Sequence, residues 1–216
     1  MSMNVRALRA PLVFLTLMII ITGAAYPALI TEIAQNVVPG TANGSLIYGP
    51  NGAIIGSSLL GQNITCSPTY YPNISSIDSC PYKSLFWLRP DLTDYQPYLG
   101  AGNETPYNPT NPDLYNQTSF LYNETVHYMH LYGVYNVSVP DNLVTYSESG
   151  LDPDILPQAA LVQVYRVAYY TNISIGALTD LVNGHLVNYA DGYIGVEYVN
   201  VVLLDIALLQ YEGVNA

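Results

Sequence analysis

The sequence predicts a mixed α/β fold: an extracytoplasmic domain of short strands and several helices, carried on a single N-terminal transmembrane helix. Three observations lead there. Residues 10–31 form an uncharged apolar run. Brief β-type runs are bounded by Gly, Pro and Asn turn signals. Three later stretches carry helical apolar spacing behind cap-type residues.

Wound as a helix, residues 10–31 would span roughly 30 Å, the thickness of a bilayer's hydrocarbon core. Arg6 and Arg9 precede the run, and the next basic residue is Lys83. Basic flanks stay in the cytoplasm, which predicts residues 1–9 inside, 10–31 across the membrane and 32–216 outside. A cleaved signal peptide is the competing reading, with Gly23-Ala24-Ala25 as its cleavage site. The apolar run continues past that site through Tyr26, Ala28, Leu29 and Ile30, which favours a retained anchor. Pro27 falls near the outer end, where a kink or helix end costs least.

After a short outlet over residues 32–44, two β-type runs at 45–48 and 53–60 flank Gly49-Pro50-Asn51-Gly52 and read as a hairpin. Residues 62–112 are rich in Pro, Asn, Tyr and Gly and read as mostly irregular, with Phe86-Trp87-Leu88 as an anchor into the core or a short strand. Asn111 as cap and Pro112 at the first turn open a helix to about residue 132, with Leu114, Phe120, Leu121, Tyr128 and Leu131 as its apolar face. A turn at 139–142 leads into a predicted strand over 143–146, then a loop over 147–154. A helix from Pro157 to about Tyr170 stacks Ala160, Val164 and Val167. Ser174 caps a helix through His185, with His185 as a cap or dipole partner. Residues 199–202 read as a strand, and 205–209 as a closing helical turn or two.

Composition narrows the function. The 216 residues hold 5 Lys plus Arg against 16 Asp plus Glu, so nothing here neutralises nucleic-acid phosphates. Charged residues are only 10% of the chain while tyrosine reaches 21 copies, so hydroxyls and amides carry the polarity. Life in strong acid is one explanation, since protonated carboxylates would leave added Lys or Arg unopposed. Drift in an acidic surface protein is the other.

Cys66 and Cys80 lie close together in a turn-rich stretch and should oxidise outside the cell, where a disulfide of this loop size contributes roughly 3 kcal/mol. Eight Asn-x-Ser/Thr sequons begin at Asn43, Asn63, Asn73, Asn103, Asn116, Asn123, Asn136 and Asn172. They are possible glycosylation sites on an exported domain.

No strong catalytic signature emerges. Glu124, His127 and His130 share a predicted helix, but about 100° per residue turns His130 about 120° from Glu124. A carboxylate-bridged metal site would also need a second such set, so we predict no metal centre. Ser147 and Ser149 lack the Gly-x-Ser-x-Gly elbow of a hydrolase nucleophile. Asp152 and Asp154 read as a rigid turn feeding a helix rather than as an acid–base pair or calcium loop. With no catalytic residue and no Gly-rich phosphate loop, no directly bound cofactor is expected.

The stretch Leu143-Val144-Thr145-Tyr146-Ser147-Glu148-Ser149-Gly150-Leu151-Asp152-Pro153-Asp154-Ile155, followed by Gln163-Val164 and Arg166-Val167-Ala168, resembles the C-subunit (KdpC) family of Kdp-type potassium-transporting P-type ATPases. Further blocks keep the family's order: Thr22-Gly23 with Tyr26-Pro27, Ala42 to Ile47, Gly56 to Gln62, Phe86-Trp87 with Arg89-Pro90, Thr110 to Leu114, Leu178 with Leu181-Val182 and His185, and Val199 to Val201. Leu156-Pro157 stands where the family has Ser-Pro, Tyr165 replaces a proline, and Tyr169-Tyr170-Thr171 replaces a basic tail. The segment between the cysteines looks like a local addition.

The resemblance implies a non-catalytic accessory subunit of an ATP-driven, high-affinity potassium uptake pump. Its partners would be a channel-like potassium-binding subunit, a P-type ATPase subunit and a small single-span subunit, which handle potassium and ATP. The family is credited with raising the ATPase subunit's affinity for ATP. With the domain outside, such an effect would have to cross the membrane as a coupling free energy. Arg89, Ser149, Gly150, Asp152, Gln163 and Arg166 are the expected structural or interface residues, with Arg89 and Arg166 paired to internal carboxylates. Two other classes fit the composition: a membrane-anchored extracellular surface glycoprotein, and an exported hydrolase using the 147–154 loop.

Overall fold

A computed structural model describes residues 8–62, 84–90, 112–147, 149–188 and 195–213 of the chain. It divides into two units, residues 1–46 and 47–216.

The first unit is built on one long apolar helix. Helix α1 (Arg9–Ile20) passes through a single π-helical turn (Ile21–Ala25) into α2 (Tyr26–Val37). The whole run, Arg9–Val37, is long and apolar enough to cross a membrane. The helix itself continues past residue 31, through Glu32 to Val37. Nor does Pro27 end it, because it sits in the first turn of α2 directly after the π turn. The wider π turn accommodates a residue that lacks an N–H and whose ring crowds the preceding turn. Asn36 Nδ2 donates to the Glu32 carbonyl (2.7 Å). A one-turn helix, α3 (Pro39–Ala42), follows, and its Asn43 cap exchanges amide hydrogen bonds with Gln35, both 3.1 Å.

In the second unit the expected hairpin is present, β1 (Leu46–Tyr48) paired with β2 (Ile54–Ser57). The Gly49 N–H donates to Ala53 O (2.9 Å), and Gly52 supplies the positive φ of +74° that the turn needs. At Gly56 a Cβ would overlap the Gln62 side-chain amide, so glycine is what lets that side chain lie across the strand.

Helix α4 (Pro112–Leu131) falls where predicted. Its buried stripe differs from the expected one. Leu114, Thr118, Leu121, Thr125 and Met129 turn inward, spaced at i, i+4, i+7, i+11 and i+15, and only Met129 is fully buried. Phe120 and Leu131 lie well over 100° around the helix from that stripe, and both are about 60% exposed, at 63% and 61%.

No strand forms over 143–146. The chain winds into a 3-10 turn (Asp141–Leu143) whose Asp141 carbonyl collects the Val144 and Thr145 N–H groups and the Thr145 hydroxyl. Those local bonds outcompete the β propensity of Leu-Val-Thr-Tyr. The predicted helix over 157–170 is likewise two helices, α5 (Pro157–Leu161) and α6 (Val164–Thr171). Between them the Gln163 N–H reaches back three residues to Ala160, while its side-chain Nε2 takes the Ala159 carbonyl (3.0 Å).

Helix α7 (Ile175–Gly184) has the expected Ser174 cap, whose Oγ accepts the Ala177 N–H (3.2 Å), and His185 Nδ1 meets the Leu181 carbonyl at 2.8 Å. Three short strands form an antiparallel sheet in the order β3 (Asp154–Ile155), β5 (Tyr198–Asn200), β4 (Leu186–Val187). Val199 is the middle rung, registered with Ile155 on one side and Leu186 on the other.

The last strand ends two residues sooner than expected, because Asn200 caps α8 (Val201–Tyr211) by accepting the Leu203 N–H (3.1 Å). Helix α8 is apolar on nearly every side yet only 11 residues long, too short to span a bilayer. Val201, Leu204, Leu208 and Leu209 join Leu85, Phe86, Ile155, Ala159, Ala160, Val164, Val167, Leu178, Val182 and Val199 in one core.

Candidate functional site

The described residues 84–90 run through the second unit as a short irregular segment, and the predicted residues Arg89, Asp152, Gln163 and Arg166 gather on it. Three of its positions are tied to three different elements. At Phe86, whose ring is in the core, the main-chain N–H donates to Asp205 Oδ1 on α8 (2.8 Å). At Trp87 the main chain is clipped on both sides by one side chain: Gln163 Oε1 accepts the Trp87 N–H (2.6 Å), and Gln163 Nε2 donates to the Trp87 carbonyl (3.1 Å). The third position, Arg89, reaches the 145–152 loop.

Gln163 is buried and uses its whole amide. Besides Trp87 and Ala159 it takes a hydrogen bond from Arg166 Nη2 (2.7 Å). The buried Arg166 guanidinium lies over the Trp87 ring, 3.9 Å from Cζ to centroid, and Trp87 in turn meets Tyr128 edge-on at 5.3 Å. This cation–π stack places a charge where water cannot solvate it. Burial pushes the Asp205 carboxyl well above the usual carboxylate range, with the Phe86 N–H and the Arg166 charge opposing that rise.

Arg89 binds the loop at several points. Its Nη1 meets Asp152 Oδ2 at 3.3 Å, and its Nη2 donates to the Tyr146 carbonyl (2.8 Å) and to Thr145 Oγ1 (3.2 Å). The loop is also held from within. Gly150 has φ +64° and its N–H donates to the Ser147 carbonyl (3.2 Å). The Ser149 hydroxyl accepts the Leu151 N–H (3.2 Å) and lies 3.0 Å from the Ser147 hydroxyl. Asp152 Oδ1 accepts the Asp154 N–H (3.0 Å), an Asx turn that leads into β3. From outside the loop, Leu151 O accepts the Gly61 N–H (2.7 Å).

Asp154 differs from its neighbour. Its Oδ1 is buried with no hydrogen-bond partner. Burial, then the adjacent Asp152 charge, lifts its pKa from 3.8 to about 6, against the pull of Asn200.

The structure thus brings Arg89, Asp152, Gln163 and Arg166 into one stitched region, with Ser149 and Gly150 shaping the loop beside it. Each serine hydroxyl is engaged with the other or with main chain, so the arrangement fixes positions more than it prepares a nucleophile. On α4, Glu124, His127 and His130 are exposed, and His130 stacks on Tyr135 with centroids 5.1 Å apart. Among the described residues no group of three metal-ligating side chains gathers.

At Tyr169-Tyr170-Thr171, the stretch read as replacing a basic tail, α6 ends in a tyrosine cluster. The Tyr132 hydroxyl donates to the Tyr170 hydroxyl (3.0 Å), and Tyr169 packs edge-on to Tyr170. Partial burial and that bond push the Tyr132 phenol up to about 12.

Cys66, Cys80, Asn63, Asn73, Asn103 and the proposed cap Asn111 lie outside the described residues. The other sequon asparagines, Asn43, Asn116, Asn123, Asn136 and Asn172, are all exposed. Asn116 and Asn123 stand on α4, whereas Asn136 and Asn172 have left-handed backbone, both with φ +58°.

Sequence reasoning missed Asp205 and Trp87 as site residues. A single carboxylate inside an otherwise apolar helix was the available signal, since such a group must be paired or neutral when buried.

A family model described as "KdpC: K+-transporting ATPase, c chain" matches residues 8–210. The potassium-transporting ATPase KdpC subunit of Bacillus cereus (strain G9842) is 35% identical over 204 residues, covering 94% of this chain and 95% of that protein. That of Bacillus anthracis (strain CDC 684 / NRRL 3495) is 35% identical, and that of Bacillus mycoides (strain KBAB4) 34%, over the same shares.

Proposed function

We infer a role inside an ion pump, because this chain belongs to the KdpC family of K+-transporting ATPase subunits. The reading we favour is a non-catalytic accessory subunit. It supports assembly of a channel-like potassium-binding subunit, a P-type ATPase subunit and a small single-span subunit. The observation that carries it is the reach of the family match, which runs through both the apolar helix and the domain that follows, residues 8–210.

On this reading the Arg9–Val37 helix anchors the chain in the cell membrane with its N-terminus in the cytoplasm and the 47–216 unit outside. Arg6 and Arg9 before the helix support that orientation. ATP is then bound and hydrolysed by the partner on the opposite face. Any rise in its ATP affinity reaches it through the membrane subunits, with a coupling of about 1–3 kcal/mol.

The interlocked hydrogen bonds of Arg89, Gln163 and Arg166 suit a domain whose task is to hold one shape against partners. An exported domain also suits a Cys66–Cys80 disulfide and glycans on the exposed sequon asparagines.

Pull-down of the native protein in mild detergent tests the assembly. The expected result is co-purification of a P-type ATPase and a channel-like subunit; recovery of the chain alone would overturn it. Protease added to intact cells tests the orientation, and should trim the 47–216 unit while sparing the first residues.

A further inference from the structure

The long helix carries one backbone acceptor that its own main chain does not satisfy. The π turn Ile21–Ala25 closes with the Tyr26 N–H donating to the Ile21 carbonyl, five residues back, whereas the Ile21 N–H that opens it still reaches Leu17 and Met18. The next N–H in that register would serve Thr22, but residue 27 is proline and has none. The Thr22 carbonyl is therefore left without a main-chain donor. Its own hydroxyl does not fold back onto it, because Oγ1 donates to the Met18 carbonyl at 2.7 Å.

The surface beside that carbonyl is open. A Cβ built on Gly23 would meet nothing within 4 Å. Thr22 also lies near the middle of the Arg9–Val37 helix. On the membrane reading above, on which this inference rests, that is the depth where water is absent and an unpaired amide carbonyl is most costly.

We propose that the Thr22 carbonyl accepts a hydrogen bond from a donor side chain, a hydroxyl or an amide, on a neighbouring membrane-spanning helix of a partner subunit. That helix packs against the Gly23 face, where the missing side chain lets the two backbones come close. A second copy of this chain fits the role poorly. In a parallel pair the donor it would offer at this depth is the Thr22 hydroxyl, which already serves Met18.

Thr22-Gly23 is the only Thr-Gly pair in the sequence, so carbonyl-13C threonine with 15N glycine singles out this one carbonyl by NMR in bilayers. The experiment compares the full chain alone with the assembled complex. Assembly should move the Thr22 carbonyl resonance to its hydrogen-bonded position. Pro27→Ala supplies the missing N–H, so the resonance should move already in the isolated chain, and co-purification of partner subunits should fall about three- to tenfold. Gly23→Leu, which crowds the face, should give a similar loss, while Pro11→Ala should change neither readout.

The proposal is overturned if assembly leaves the Thr22 resonance where it was, if Pro27→Ala keeps full association, or if the isolated wild-type chain dimerises with Thr22 already bonded. Resistance to carbonate extraction, measured on the same samples, keeps the two readings apart. A chain that washes off the membrane sinks the anchor itself, whereas an embedded helix with an unmoved Thr22 sinks this inference alone.

Discussion

Replacing Asp154 with Asn should reduce the loss of stability that the fold suffers as pH rises. Asp154 opens β3 with one carboxyl oxygen buried and unpartnered, beside an Asp152 that is paired with Arg89. Its pKa is raised from 3.8 to about 6, so the protonated form is the one the fold favours. The stabilisation is complete below the unfolded-state value and is lost as pH climbs through about 6. Full linkage for such a shift would be about 3 kcal/mol. The group is only half-buried, and screening by water brings the expectation to about 1–2 kcal/mol.

Asn is neutral throughout, so the variant should match wild type in acid and exceed it above neutrality, by roughly 3–6 °C in Tm. Asp205, whose pKa is raised for the same main reason, keeps a residual slope in both proteins. The assay is thermal unfolding of the full chain in detergent across the pH range, followed by fluorescence of Trp87, the only tryptophan. Parallel loss of stability in the two proteins between acid and neutral pH would refute the reasoning.

Three further outcomes are expected. Arg166→Met keeps the aliphatic packing but removes the Trp87 stack and a Gln163 hydrogen bond, and should lower stability by about 2–4 kcal/mol in urea titration, with Arg166→Lys recovering only part. Asp205→Asn can still accept the Phe86 N–H and should cost under about 1 kcal/mol, whereas Asp205→Leu leaves that donor unsatisfied and should cost about 1–3 kcal/mol by the same titration. Asn136→Gln should remove one glycan mass from the native protein, because among the described residues that exposed loop sequon is the one least constrained by helix; an unchanged mass would exclude modification there.

The hairpin, α4 and the Ser174-capped α7 were legible because each is signalled locally, by a turn, a cap or a long period. The division of residues 157–171 was not. Its cause is the side chain of Gln163, whose role depends on Trp87, 76 residues earlier. The same distance hid the site. Phe86-Trp87-Leu88 could be read as an anchor into the core, but its partner Asp205 lies 119 residues from Phe86, and nothing in the local pattern joins them. Leu143 to Tyr146 misled for the opposite reason: strong strand formers yielded to a carbonyl two residues upstream, which collects three donors. On α4 the apolar residues were visible, but which of them face inward is decided by what packs there, and half-buried threonines fill the stripe that Phe120 and Leu131 miss.

The small sheet has a consequence for how this domain comes apart. Its two outer strands are only two residues long, and neither pairs with the other, so Val199 alone joins Ile155 to Leu186. Helix α8 begins two residues after that rung, and the Val201 N–H is fastened to Pro153. A rupture at Val199 would release both flanks and unseat the helix in one event. The amides of Ile155, Val199 and the first turn of α8 should then exchange with deuterium at one shared rate, set by opening of the whole domain rather than by fraying at either edge.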